Sequence, residues 1–577
     1  MKISPRKIIS LLLLVSLNIF NTFSQSKKNN VKYITEYFHQ RNEAMTLVKN
    51  EKWQESIEIL KNLTSQYQND ADLFYVLGLS YYQVEKYQNA ISALKETLDL
   101  GGTILRGIPT GSAPSNDIMI KIAKAYAKDG DKDNALLWLK KGFASRYDEK
   151  PFLIGDLAFK ELINDKDFLV LFGNNPQEDI TREEAWIRDI IYLEERINEL
   201  HFSPNHAISK TELSKKILNI KTNISSLRDE QVIVELMKIV GSLGNGHNLI
   251  IPTSPNKGAL KKLPVQFYQF NDGLFIVDAE IGFEQWIGYK VQLIENTPIE
   301  EALQKTNIIN ARDNDMQTLW LGPYYLGLPD VLMGLGIINN TQQVTITLND
   351  KNGKSQKIIM NPVSWNFSDF PKMPKLKDKE QPLFLSKTED PYWYKLIPEN
   401  NSIYVQFNVV THKKTQTLEG FNIELRNQTS KNNVQYLILD LRHNHGGNGS
   451  LLPPMLKTII NFEVMNPDGK VFVLMGRETF SAAQNLLTDI TKYTNAILVG
   501  EPSGSKPNHI GEAGWFKLPH SGLMGLISTQ FHQTSKAEDN RNWITPHIPI
   551  STLSTDYFNG NDKALNIIMD VIKSYKN

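Results

Sequence analysis

Hydrophobic residues change their spacing along the chain, and these changes predict separate domains. Residues 33–175 carry apolar positions at helical intervals. Helical spacing resumes over 181–255, where Thr181 and Glu184 stand at the two positions of a capping box. The chain from residue 33 to residue 255 is therefore predicted to be helical.

Beyond this region the pattern becomes that of β-strands. Short runs in which apolar and polar residues alternate, such as Val265–Phe270 and Val344–Leu348, occupy residues 262–362 and predict a β-rich module. Prolines and lysines then concentrate in 363–395, which predicts a linker. Residues 396–577 form the last predicted domain.

The last domain alternates strands with helices. Tyr436–Leu439, Val471–Met475 and Ala496–Val499 are short apolar strands separated by segments of helical length, which predicts right-handed parallel α/β units. A polar motif follows each strand, and sites in open α/β sheets form beyond the carboxyl ends of the strands. The sequence predicts a multidomain α + α/β protein with its chemistry at this edge.

Within the first helical region, small and aromatic residues repeat. Four positions recur 34 residues later, and a third copy follows after an 11-residue insertion. The matching residues are Ala44, Leu47, Trp53 and Ser56, then Gly78, Tyr81, Tyr87 and Ala90, then Ala123, Tyr126 and Ala135. This period resembles tetratricopeptide repeats, and the resemblance implies a docking surface for a protein partner.

The first residues have the layout of a secretory signal peptide. Lys2, Arg6 and Lys7 precede the apolar run Ile8–Phe20, and small residues lead to a cleavage position near Ser24. Residues 1–24 are therefore expected to be removed on export to the periplasm or the exterior. The alternative is an uncleaved anchoring helix. We expect no membrane span after cleavage.

Composition narrows the possible functions. The charges of the 63 basic and 63 acidic residues cancel, so the chain has no net positive charge that would attract nucleic acid. The chain has no cysteine, which excludes disulfides, a thiol nucleophile and thiolate zinc sites. We expect no cofactor.

Three motifs of the last domain and one upstream carry the strongest functional signal. They are Leu439-Asp-Leu-Arg-His-Asn-His-Gly-Gly, Thr479-Phe-Ser-Ala-Ala, Gly500-Glu-Pro-Ser-Gly-Ser-Lys-Pro-Asn and, upstream, Leu243-Gly-Asn-Gly-His-Asn. In order and spacing they resemble the core of carboxy-terminal processing and tricorn-type serine peptidases. The resemblance covers about residues 181–577.

This resemblance implies a fold. It predicts a helical cap over 181–255 and a catalytic α/β core similar to the crotonase and Clp-protease superfamily over 396–577. The segment from Gly288 to Pro298 resembles the second half of a PDZ domain, so the module at 262–362 is expected to be PDZ-like.

The resemblance also implies roles for individual residues. Ser481 matches the nucleophile, and its place at a strand-to-helix turn puts it near a helix amino terminus, where developing negative charge is stabilised. Considered without the resemblance, Ser481 could instead serve only as the N-cap of the helix. Gly446 and Gly447 match the glycine pair whose N–H groups stabilise the oxyanion, together with the N–H of Ala482. Asp440 and Arg442 are expected to brace this loop by ion pairing.

Two residues compete for the role of general base. Lys506 lies 25 residues after Ser481, where the lysine of a Ser-Lys dyad is expected, whereas His247 matches the histidine of the tricorn type. The unperturbed pKa of histidine already suits a general base near neutral pH, whereas a lysine must be buried away from water to lower its pKa that far. Lys506 lies in a hydrophilic loop, which offers no such burial. We therefore favour His247. Asp539 resembles the acid that supports this histidine, with Glu538 as its rival.

His443 and His445 raise the question of a metal site. Their two-residue spacing, with no acidic third ligand nearby in the sequence, argues against one, so we assign them to the loop and expect no metal.

The predicted function is an exported serine-type processing peptidase that acts on peptides or proteins, with the repeats recruiting a partner. Asn245 replaces the Asp expected before Gly-His, Gln484 the Glu after Ser-Ala-Ala, and Ser503-Gly-Ser a Thr-Gly-Gly. These departures leave one alternative, a peptidase-like scaffold that binds peptides without cutting them.

Overall fold

The computed structural model describes most of the chain after the expected signal peptide. The described ranges are 31–102, 114–173, 180–252, 260–365, 372–377 and 379–576. The predicted signal peptide at 1–24 and parts of the repeat insertion and the predicted linker lie outside them. The chain divides into two compact units, one with residues up to 147 and 152–171, the other with 148–151 and all residues from 172. No helix in the described ranges is both long enough and apolar enough to cross a membrane.

The first unit is built from α-helices in which neighbours along the chain pack against each other. The helices are α1 (Val31–Lys49), α2 (Trp53–Gln66), α3 (Ala71–Gln83), α4 (Tyr87–Asp99), α5 (Ser115–Lys128), α6 (Lys132–Ala144) and the short α7 (Lys166–Leu171). A Cβ atom at Gly78 would lie 2.8 Å from Leu94 Cγ, and one at Gly142 would lie 2.6 Å from Ile120 Cδ1. Glycine therefore lets these helix pairs approach closely.

Three helices open the second unit. They are α8 (Arg182–Leu200), α9 (Lys210–Asn223) and α10 (Asp229–Gly241). The predicted capping box is confirmed, because the Glu184 N–H donates to Thr181 Oγ1 and the Thr181 N–H donates to the Glu184 carboxylate. The apolar faces of these helices share one core with Phe516 and Ile527, which lie far along the chain.

An antiparallel sheet in the order β3-β4-β5-β7-β8 follows. The elements of this region are β1 (Leu249–Ile250), β2 (Leu260–Lys262), β3 (Val265–Phe270), β4 (Gly273–Ala279), β5 (Lys290–Ile294), β6 (Thr297–Pro298), α11 (Ile299–Asn307), α12 (Met316–Leu326), α13 (Pro329–Gly334), β7 (Val344–Asn349), β8 (Ser355–Met360) and β9 (Val363–Trp365). Val344, Ile346 and Leu348 are fully buried in its core, as strand alternation requires.

The carboxy-terminal region contains a six-stranded sheet in the order β10-β11-β12-β13-β14-β17, parallel except for β10. Its elements are α14 (Leu383–Ser386), β10 (Tyr392–Ile397), β11 (Ser402–Phe407), α15 (Leu418–Lys431), β12 (Tyr436–Asp440), α16 (Pro453–Met465), β13 (Lys470–Met475), α17 (Ala482–Tyr493), β14 (Ile497–Gly500), β15 (Asn508–Lys517), β16 (Met524–Gln533), β17 (Ile548–Pro549), α18 (Ser554–Phe558) and α19 (Lys563–Lys576). Along β12, Leu437 and Leu439 pack with α15, α16 and α17, whereas Ile438 packs with α19. Helices therefore cover both faces.

Two boundaries differ from the sequence prediction. The core sheet begins at Tyr392, inside the predicted linker, and the described parts of that linker also contain β9 and α14. The linker prediction rested on proline and lysine content, since β9 and α14 are too short to show a periodic pattern and β10 does not alternate apolar with polar residues.

A long hairpin of β15 and β16 extends from the core, and β1 pairs with β16. This pairing holds the segment that precedes β1, which contains His247, beside the hairpin. Lys506 lies in the loop between β14 and β15, two residues before β15 begins.

Candidate active site

Ser481 occupies a sharp turn between β13 and α17. Its backbone has φ 55° and ψ −124°, a region that residues other than glycine rarely adopt and that costs on the order of 1–3 kcal/mol. Ser481 takes the N-cap position of α17, but its hydroxyl makes no capping hydrogen bond. The N-cap alternative left open by the sequence therefore does not explain this side chain.

The Ser481 hydroxyl contacts His247 instead. His247 Nε2 lies 2.9 Å from Ser481 Oγ, within reach for direct proton transfer. The structure thus brings together two residues that are 234 positions apart in the chain.

A hydrogen bond to a neighbouring loop holds the segment that carries His247. The Gly246 N–H donates to Asp313 Oδ1 at 2.9 Å, and the other oxygen of that carboxylate accepts from the Ser505 hydroxyl. A Cβ atom at Gly246 would lie 2.4 Å from Gln317 Oε1, so glycine is required for this close approach. The buried carboxylate of Asp313 therefore joins the histidine segment to the segment before β15.

Asn245 explains one departure from the peptidase pattern. Its amide nitrogen donates to the Ile510 carbonyl at 3.2 Å and to the Ser528 hydroxyl, and its Oδ1 lies 2.8 Å from His201 Nε2. A carboxylate cannot make the first of these bonds, because the carbonyl oxygen is an acceptor only. The amide at 245 therefore fits the surroundings in this chain.

Aromatic rings pack around His247. The ring stacks on Phe480 at 4.3 Å and on His509 at 5.5 Å between centroids, and His509 stacks in turn on His532 at 5.1 Å. Gly511 makes room for all three histidines, since a Cβ atom there would lie 3.0–3.2 Å from each imidazole.

This packing sets the charge state of the histidines. Burial, together with the proximity of His509 and His532, lowers the pKa of His247 well below its usual 6.5. Burial also lowers the pKa of His509 and of His532. At neutral pH, His247 is therefore an uncharged imidazole that can accept a proton.

The two other residues proposed to act with Ser481 lie elsewhere. Among the described residues, Lys506 Nζ makes no hydrogen bond or ion pair with Ser481 or His247, and its carbonyl oxygen lies 3.2 Å from His509 Nδ1. The Asp539 carboxylate accepts two hydrogen bonds from the Arg541 guanidinium, at 2.6 and 2.9 Å, and one from the Arg541 backbone N–H at 3.2 Å.

The Asp539 carboxylate, which we expected to support His247, is bound by Arg541 in this structure. Hydrogen bonds from Arg541, two residues along the same turn, hold the pKa of Asp539 well below its usual value. His247 Nδ1 is buried without a hydrogen-bond partner among the described residues. The rival, Glu538, is exposed to solvent.

The glycine pair lies against the nucleophile. A Cβ atom at Gly446, where φ is 103°, would lie 2.7 Å from Ser481 Cβ and 2.8 Å from the Ala482 nitrogen, so only glycine fits. The Gly446 N–H, which we expected at the oxyanion, is donated to Asn444 Oδ1 at 2.9 Å. The N–H groups of Gly447 and Ala482 make no hydrogen bond to any described residue.

The ion pair that braces this loop is confirmed. The Arg442 guanidinium donates to both Asp440 and Asp562, at 2.6 and 2.8 Å. Burial would raise the pKa of Asp440, but the Arg442 guanidinium outweighs it and the pKa is lowered. The carboxylate therefore stays charged inside the sheet.

The structure supplies an acidic neighbour for the histidine pair that the sequence analysis did not identify. Glu478 Oε2 lies 3.0 Å from His445 Nε2 and 3.6 Å from His443 Nδ1. Burial opposes ionisation of Glu478, yet the nearby His443 and the hydrogen-bonded His445 lower its pKa to about 2. Across the described residues, no group of three or more His, Asp and Glu side chains is arranged to hold a metal ion.

Sequence reasoning missed Asp313 and His509 as parts of the site. The signal for His509 was its place near the start of a strand, where strand alternation puts residues 509 and 511 on one face. Asp313 carried no local signal, because its partners lie 67 and 192 positions away.

No protein-family model and no curated protein matches the sequence. Solved structures do match. Mature CPAF complexed with lactacystin has a TM-score of 0.50 at 11% identity, over 68% of this chain and 99% of that chain. Mature CPAF has a TM-score of 0.49 at 12% identity, over 68% and 98% of the two chains. The photosystem II D1 C-terminal processing protease has a TM-score of 0.34 at 11% identity, over 67% and 99%. The first of these shows a shared fold over about two thirds of the chain.

Proposed function

We propose that the protein is a serine-type processing peptidase that hydrolyses peptide bonds through an acyl-enzyme on Ser481. The observation that carries this proposal is the 2.9 Å contact between Ser481 Oγ and His247 Nε2. Ser481 lies at a strained turn that packs against Gly446. Strain of this kind is typical of a nucleophile presented at the end of a parallel strand.

The reaction begins when His247 Nε2 takes the hydroxyl proton as Ser481 Oγ attacks the peptide carbonyl carbon. The N–H groups of Gly447 and Ala482 donate to the developing oxyanion, and the dipole of α17 adds to this stabilisation. The C–N bond then breaks, and the amine leaves with the proton held by His247. Water, deprotonated by the same histidine, hydrolyses the acyl-enzyme and regenerates the Ser481 hydroxyl.

Electrostatics support His247 as the base. Its lowered pKa keeps the imidazole neutral at pH 7, as proton abstraction requires. Among the described residues, Lys506 Nζ makes no hydrogen bond to Ser481, so we give it no part in proton transfer.

A second candidate function is a scaffold that binds peptides without cutting them. One observation favours it: His247 Nδ1 has no hydrogen-bond partner among the described residues, and Asp539 is held by Arg541. Without a carboxylate behind it, the imidazolium formed during attack is less stabilised. The two functions differ in whether Ser481 is chemically activated.

The finer domain assignments belong to the same proposal. We infer tetratricopeptide repeats over 33–175, supported by close helix pairing at Gly78, and a PDZ-like module over 262–362. The core at 396–577 is assigned to the crotonase and Clp-protease type, supported by its parallel sheet with helices on both faces.

We propose in addition that residues 1–24 direct export and that the repeat unit recruits a protein partner or substrate. Amino-terminal sequencing of the protein recovered from the periplasm or medium should begin close to Gln25. A chain that begins at Met1 would refute the export proposal.

Digestion of a peptide library by the protein that begins at Gln25 tests the peptidase proposal. Mass spectrometry should reveal new peptide termini with wild-type protein and none with the Ser481→Ala variant. Peptides that bind but stay intact would support the scaffold instead. Equal cleavage by Ser481→Ala would contradict the nucleophile assignment.

A further inference from the structure

An apolar cavity of about 240 Å³ lies between β3 and α12. Its walls include the rings of Phe267, Trp320, Tyr324 and Trp365, and Glu478 reaches one side. Cofactor and drug-sized sites usually exceed about 300 Å³, so this volume suits one large side chain.

The cavity adjoins the candidate active site. Trp320 packs on Phe480 at 5.9 Å and on His445 at 4.7 Å between ring centroids. Phe480 precedes Ser481 and stacks on His247 at 4.3 Å. A peptide held at Ser481 therefore lies next to a wall of this cavity.

The charges of the lining select against acidic side chains. Lys262 lines the cavity, but its ammonium group is paired with Glu280 at 2.9 Å. Glu478 is an anion already engaged by His445. A carboxylate entering the cavity would meet aromatic rings and a negative charge, whereas an aromatic side chain gains edge-to-face contacts.

We propose that this cavity is a specificity subsite that takes one aromatic or other large apolar side chain of a peptide, close to the bond attacked by Ser481. The proposal rests on the proposed function for the position of cleavage, but the binding preference stands independently of catalysis. Trp320 and Tyr324 are the residues that determine the preference.

The test uses peptides in which a single phenylalanine is moved through an alanine- and glycine-based sequence. Cleavage should follow the phenylalanine at a fixed distance, with kcat/KM about a hundredfold above the all-alanine peptide. Replacement of the phenylalanine by aspartate should remove cleavage at that distance. Tyr324→Ala should lower the preference for phenylalanine about tenfold, whereas Tyr289→Ala, on the same module but outside the cavity, should leave it unchanged.

Binding to the Ser481→Ala variant provides a measurement that needs no catalysis and covers the case in which Tyr324→Ala fails to fold. The phenylalanine peptide should bind at least about tenfold tighter than the alanine peptide. A peptide with a diazirine-bearing phenylalanine should crosslink to residues 265–268 or 320–328.

The outcomes separate this proposal from the peptidase proposal. Cleavage that ignores the phenylalanine, or crosslinks outside the cavity, would overturn the subsite and leave the peptidase intact. Selective binding and correct crosslinks without any cleavage would uphold the subsite and overturn the peptidase.

Discussion

Replacing His247 by alanine tests how the geometry at Ser481 produces catalysis. The 2.9 Å contact makes His247 the direct proton acceptor, so His247→Ala should lower kcat/KM by about 10²–10⁴-fold, or about 3–5 kcal/mol of transition-state stabilisation. Lys506→Ala and Asp539→Asn should each cost less than about threefold, because neither side chain contacts the pair.

The assay is hydrolysis of a library-selected peptide by each variant across pH 4–9, after melting shows that each variant is folded. Because the pKa of His247 is lowered by burial and by its histidine neighbours, kcat/KM should rise through a midpoint below 6.5 and be near its plateau at neutral pH. An unperturbed imidazole would place that midpoint at about 6.5. If Lys506→Ala abolishes activity while His247→Ala keeps it, or if the rise occurs only at alkaline pH, the reasoning about the base is wrong.

Three further predictions concern other parts of the structure. Gly511→Ala should lower kcat/KM about tenfold with little change in melting temperature, because the new Cβ would lie 3.2 Å from His247 Cε1 and displace the imidazole by a few tenths of an ångström. Glu478→Gln should raise KM for phenylalanine peptides more than it changes kcat, because loss of the anion releases His445 beside the cavity. Steady-state kinetics measure the two effects separately. Burial lowers the pKa of Lys150 from 10.5 to about 7, so the unfolded chain binds more protons than the folded protein between these two pH values, and the free energy of unfolding should rise by about 2 kcal/mol from pH 7 to pH 9. Urea unfolding of the Lys150→Met variant should lack that rise.

The sequence predicted those helices and strands whose apolar residues follow a clear periodic pattern. Alternation marked Val344–Leu348, and three apolar strands followed by polar motifs marked the parallel core. The edge strand β10 was missed, because its sequence Tyr392-Trp-Tyr-Lys-Leu-Ile follows a proline and does not alternate apolar with polar residues.

The candidate site was predictable to the extent that its residues belong to contiguous motifs. Ser481 and His247 stand in such motifs, and the structure places them together. Other parts of the site could not be predicted: local contacts with Arg541 and Asn444 engage Asp539 and the Gly446 N–H, and the partners of Asp313 lie 67 and 192 positions away. The sequence alone does not show which side chain each of these groups will contact in the folded protein.

Labelling by a fluorophosphonate probe tests the central claim most directly. The reagent bonds to an activated serine hydroxyl, so intact-mass analysis of the wild-type protein should show one adduct, and peptide mapping should place it on Ser481. His247→Ala should slow labelling by about 10²-fold or more, and Ser481→Ala should prevent it. A wild-type protein that stays unlabelled, or an adduct on any other residue, would contradict the account.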